Sequence, residues 1–109
     1  MSESMGDRLE AMLAAGQDNP LLRFGLGNNY CNEKAWPRAI EHLKALLEQD
    51  ANHSAGWKLL GRALAADGQT DEAIAVYQQG LEVAAANGDK QVVREIEVFL
   101  RKLEKQNSS

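Results

Sequence analysis

Apolar residues recur along this chain at spacings of three and four, the period of a helix with one buried face. Met5, Leu9, Met12 and Leu13 share one side of residues 5–15, and Gly16 is placed to end that turn. Asn19 and Pro20 then give a start signal, since asparagine caps free N–H groups and proline fits a first turn that needs none. The helix they open carries Leu22, Leu26 and Tyr30 and fades over residues 31–34. Pro37 opens a third helix with Ile40, Leu43, Leu46 and Leu47. Residues 50–54 interrupt, and Asn52 or Ser54 is expected to cap a fourth helix bearing Trp57, Leu60 and Leu64. Gly68 is expected to end it in the left-handed conformation. Thr70 is the expected cap of a fifth helix, with Ile74, Tyr77 and Leu81, which stops at Asn87-Gly88. The last, from about Asp89, sets Val92, Ile96, Phe99, Leu100 and Leu103 against a face of Lys, Arg and Glu. No run reads as a strand, and the connections are short enough to make the helices antiparallel neighbours.

One helix carries a flaw. Gly61 stands among Trp57, Leu60 and Leu64, although glycine inside a helix costs about 1 kcal/mol relative to alanine. Displacing the chain by 34 residues supplies its counterpart: Leu26 falls on Leu60, Gly27 on Gly61 and Tyr30 on Leu64. The register continues with Ala39 on Ala73, Ile40 on Ile74, Leu43 on Tyr77 and Leu47 on Leu81. Identity is low, but the matches land on the same helical faces, which is the mark of a repeated helix-turn-helix unit. Glycine at both places predicts a close approach to the second helix of each hairpin, opposite Ala39 and Ala73.

This pattern resembles the tetratricopeptide repeat (TPR) family. Trp57, Leu60-Gly61 and Leu64, then Ala73, Tyr77 and Leu81, stand at the family's positions in the second unit. The first unit departs from it: Arg23 replaces the first large residue, and Leu46 stands where the family has a small one. The resemblance implies an all-α, right-handed stack of antiparallel helical hairpins with a C-terminal capping helix. The frame is one domain over 1–109, with a half-repeat helix at 5–15, repeats at 20–53 and 54–87, a capping helix at 89–105 and a tail at 106–109. With two residues inserted, Val93, Ile96 and Leu100 take the places of Trp57, Leu60 and Leu64, and Glu97 takes that of Gly61. A bulky charge there predicts that no further helix packs on that face.

Composition narrows the function classes. The net charge of −4 argues against a nucleic-acid partner, which calls for clustered cations. A single cysteine, Cys31, allows no internal disulfide, and His42 and His53 share no metal-type spacing, so neither metal nor cofactor is expected. The N-terminus has no apolar core of signal-peptide length, and nothing approaches the roughly 20 apolar residues of a membrane span. A reduced cytoplasmic protein with no membrane partner is the expectation. Catalytic motifs are absent: Gly25-Leu26-Gly27 follows no strand, and Cys31 with His42 lacks a third group to orient a base. No enzymatic activity is expected.

The resemblance implies a partner protein or peptide bound on the concave side, which first helices line. Phe24, Asn28 and Cys31 from the first unit and Lys58, Leu59 and Arg62 from the second are the candidate partner-binding residues, with Val92 and Phe99 as a wall. Phe24 either anchors a ligand there or packs against the N-terminal half-repeat. Lys58 and Arg62, four apart, either receive an acidic group or are two solvated charges. The family's carboxylate clamp is not expected, because only Asn28 matches it. The alternative to a groove binder is a homodimer joined through the end helices.

Overall fold

The computed structural model describes residues 4–107. Six helices make up the fold among the described residues: α1 (Met5–Ala14), α2 (Pro20–Asn32), α3 (Trp36–Gln49), α4 (Ser54–Ala66), α5 (Thr70–Ala86) and α6 (Lys90–Asn107). The last runs through Gln106 and Asn107, where a tail was expected, and the remaining tail residues, 108 and 109, lie outside the described residues.

Start signals are partly those of the sequence. Asn19 Oδ1 accepts the Leu22 N–H at 2.9 Å, as the Asn-Pro pair predicts. Elsewhere the cap shifts by one residue. His53, rather than Asn52 or Ser54, caps α4, its Nδ1 accepting the Gly56 N–H at 2.9 Å. Gln69 precedes α5 without a side-chain cap, and Thr70 is already helical. The hairpin turns repeat the 34-residue register. Gly68 is left-handed at φ 84°, and its counterpart Lys34 adopts φ 59°, a conformation that strains a residue bearing a Cβ.

The close approach predicted at Gly27 and Gly61 is present, and the nearest atoms across it belong to the residues one turn beyond Ala39 and Ala73. A Cβ on Gly27 would run into the Leu43 side chain, and one on Gly61 into the Tyr77 ring. Leu43 and Tyr77 are themselves 34 apart, so the same contact is built twice with an aliphatic and then an aromatic residue. Ala39 and Ala73, fully buried, lie a turn earlier on the same helices. Each glycine therefore offsets its poor helix propensity by admitting a large side chain from the facing helix.

The large Leu46 of the first unit is accommodated by a glycine on the next helix. Leu46, counterpart of Gly80, is fully buried and reaches the space left by Gly56 on α4, where a Cβ would come within 2.7 Å of Leu46 Cδ2. Gly80 itself faces the Cβ of Trp57, at 2.7 Å from where its own would be. Trp57 is half-buried and donates its indole N–H to the Ala51 carbonyl at 2.8 Å. Asn87 Nδ2 ties the end of α5 to the start of α4 through the Asn52 carbonyl at 2.7 Å and Ser54 Oγ at 2.9 Å.

Helices α2, α4 and α6 touch one another in series, whereas the α3 and α5 backbones stay further apart and are bridged by the ion pair of Lys44 Nζ with Glu72 Oε2 at 2.8 Å. The stack is thus tighter on the side of the first helices, and that side is concave. Glu97 is exposed on α6, and no further helix covers it among the described residues. No described helix is long and apolar enough to cross a membrane.

Gly61→Ala tests the close approach. The substitution improves helix propensity, yet it should destabilise the fold by about 1–3 kcal/mol through overpacking against Tyr77. Chemical denaturation gives the sign, and a stabilised variant would contradict the packing described.

Candidate functional site

The concave side holds a cavity of about 210 Å³ into which three helices project side chains. Phe24 and Asn28 come from α2, Lys58, Leu59 and Arg62 from α4, and Glu95 and Phe99 from α6. Helical geometry explains the grouping: residues three and four apart stand on one face, and the α2–α4 and α4–α6 contacts bring those faces together. Five of the six residues singled out in the sequence line this cavity. Cys31 does not. It is buried, and burial pushes its thiol up, with Arg62 opposing less strongly, so it is neither a surface contact nor a thiolate.

The residues that do line the cavity play different parts. Phe24 is half-buried and lies against the His53 ring, centroids 4.8 Å apart. Leu59 is buried and forms floor rather than an exposed anchor. Lys58 Nζ sits 3.0 Å from Glu95 Oε1. That pair neutralises one of the two cations on the α4 face, leaving Arg62 exposed and unpaired among the described residues. Sequence reasoning did not include Glu95. Its signal is its place on α6 one turn before Phe99, but a charged helix face offers several equivalent acids, and only the packing of α6 selects one.

The other polar cluster lies on the far side of the first unit. Arg23 forms a forked pair with Asp18, Nε–Oδ1 2.8 Å and Nη2–Oδ2 2.9 Å, and Gln49 Nε2 donates to the same carboxylate at 2.7 Å. Arg23 Nη1 also reaches His42 Nδ1 at 3.0 Å. Arginine can only donate, so Nδ1 is the acceptor and the ring hydrogen sits on Nε2, which faces Glu10 Oε1 at 3.3 Å. Both nitrogens of His42 are therefore engaged in holding α1, α2 and α3 together, and neither is offered to Cys31. Arg23 replaces the large apolar residue of the second unit with a buried stem and a satisfied head. Among the described residues no group of three His, Cys, Asp or Glu side chains is arranged to hold a metal ion.

Comparison with known proteins agrees with this architecture. Residues 7–63 match the tetratricopeptide repeat family, and so do residues 57–91. The chain is 52% identical over 101 residues to the TPR repeat-containing protein PA0015 of Pseudomonas aeruginosa, covering 93% of this chain and 96% of that one. The solution structure of protein BPP2914 from Bordetella parapertussis is similar at a TM-score of 0.86 and 42% identity, over 98% of this chain and 93% of that chain. The crystal structure of a tetratricopeptide repeat domain protein from Salinibacter ruber is similar at a TM-score of 0.73 and 28% identity, over 79% of this chain and 97% of that chain.

The Arg23 cluster makes stability depend on acid. Hydrogen bonds from Arg23 and Gln49 hold the Asp18 carboxyl at about 2, below its ordinary 3.8. A lowered carboxyl favours the fold above the unfolded value, and that contribution is lost as pH falls from about 4 to about 2. Burial lowers His42 below its ordinary 6.5, so the unfolded chain takes up that proton first and stability also declines just below neutrality. Thermal melts between neutral pH and pH near 2 should show both losses. Asp18→Asn should remove the lower one and leave the upper.

Proposed function

The chain belongs to the tetratricopeptide repeat family, and we propose that it is a non-catalytic protein-interaction module that holds an extended segment of a partner in the cavity between α2, α4 and α6. We read residues 20–53 and 54–87 as its two repeats and α1 as half of another. The observation that carries the proposal is the convergence of three helices on one cavity with an apolar floor, Leu59 and Phe99, and a polar rim, Asn28 and Arg62. Such a site is built by the core, so a ligand segment orders while the receptor does not, which limits the entropic cost of binding. With Lys58 held by Glu95, the middle of the groove is neutral and selects by shape and apolar contact. A cytoplasmic setting suits the single unpaired Cys31.

One observation favours the rival reading, a homodimer through an end helix: Met5 and Met12 are 57% and 40% exposed on α1. The two readings separate by measurement. Under the groove reading, light scattering gives the mass of one chain, 12.0 kDa. Peptides selected from a random displayed library should then lose roughly tenfold or more in affinity, about 1.4 kcal/mol, when Asn28→Trp fills the exposed rim, with the melting temperature unchanged. Unaltered affinity in that variant contradicts the groove. A dimer that Met5→Glu with Met12→Glu turns into a monomer supports the rival instead.

A further inference from the structure

Arg62 walls a second concavity. This one, about 200 Å³, lies between the C-terminal halves of α4 and α6, beside the groove and sharing Arg62 and Phe99 with it. Its cations are Arg62 and Lys102, and no acid lines it. Neither cation has a hydrogen-bonding or ion-pair partner among the described residues. The contrast with the groove is direct, for there Lys58 is already matched by Glu95. Two unmatched cations in one cleft stand out on a chain whose net charge is −4.

The floor is apolar. The Tyr77 and Phe99 rings stack with centroids 6.1 Å apart, and Leu103 is buried beside them. Burial pushes the Tyr77 hydroxyl up to about 12, so it keeps its proton and can donate. A floor that excludes water strengthens a charge-assisted bond made above it.

Resting on the groove reading above, we propose that the Arg62–Lys102 cleft is an acidic subsite, taking an Asp or Glu side chain of the bound partner segment while a neighbouring apolar side chain lies on Phe99. The electropositive end of the concave face is thus at α4 and α6, one turn beyond the Lys58–Arg62 pair that the sequence offers. Charge complementarity argues for an acidic occupant, and the shared Arg62 wall argues that it belongs to the same ligand as the groove.

The test is an NMR titration of the ¹⁵N-labelled full chain with acetyl-Asp-Leu-Glu-amide, which has no terminal carboxylate. Saturable shifts are expected at Arg62, Ala65, Lys102 and Leu103. Acetyl-Asn-Leu-Gln-amide should bind about tenfold more weakly, as loss of a charge-assisted bond implies. Lys102→Glu and Arg62→Gln, both at exposed positions, should abolish the acidic preference with helicity unchanged. Equal response to the amide peptide, or no saturable shift at millimolar concentration, overturns the proposal. So does an equal response to inorganic phosphate at matched ionic strength, which would mark an unselective anion spot. Shifts confined to Asn28 and Glu95 overturn the subsite and leave the groove standing. Acidic binding at the cleft, with selected peptides indifferent to Asn28→Trp, upholds the subsite and removes the groove.

Discussion

The structure depends on two places where a helix gives up its side chain. At Gly27 and Gly61 the backbone of a first helix comes close enough to admit Leu43 and Tyr77 from the helix that follows. That contact fixes the distance and rotation of each hairpin, because a close-packed interface has little tolerance for even one added carbon. Rotation in turn decides which residues the first helices show to the other side. Phe24 and Asn28 on α2, and Lys58 and Arg62 on α4, reach the concave face because the opposite faces are committed to these hairpin cores. The cavity follows from the packing behind it.

The two units solve the same packing problem with different chemistry. In the second, Trp57 lies beside Gly80 and anchors its indole on the Ala51 carbonyl. In the first, Arg23 takes the place of tryptophan, and Leu46 that of Gly80. A guanidinium half inside a protein needs acceptors, and Asp18, His42 and Gln49 supply contacts to the cluster. Glu10 adds a carboxylate from α1. Helix α1 is thereby joined to the stack by polar contacts as well as by Leu9 and Leu13, which are partly buried against the core. A purely apolar seam would hold α1 with less orientational specificity, and this cluster makes its attachment sensitive to pH.

Periodicity made the helices and the repeat legible, because burial of one face leaves a record at every third or fourth residue. It also located the close approach at Gly61, but not Tyr77 as the nearest neighbour across it, since Ala73 and Tyr77 share a face and both satisfy the pattern. Capping was less legible. A one-residue shift lets His53 displace Asn52 and Ser54, and histidine is not among the usual capping residues. Least legible were the ion pairs. Arg23 read as a defect because Gln49 and His42 come from a different helix, and Lys58 read as free because Glu95 lies 37 residues away. Nothing in the polar face of a helix says which of its charges meets another element.

Charge placement on the concave face follows from the way the last helix closes the stack. Two additional residues before α6 set its register, so Glu95 stands where Leu59 stands one unit earlier and Val98 where Arg62 stands. The first change brings an acid to Lys58 and removes that cation from use. The second removes a cation from the wall, and Lys102, one turn further along, takes up the space beside Arg62. Exposed Val98 lies beside Glu95 and Phe99 on the same helix. A third identical repeat would have carried the α4 pattern onward. The altered register of α6 instead leaves a matched ion pair in the middle of this face and sets Arg62 and Lys102 together in the cleft beside it.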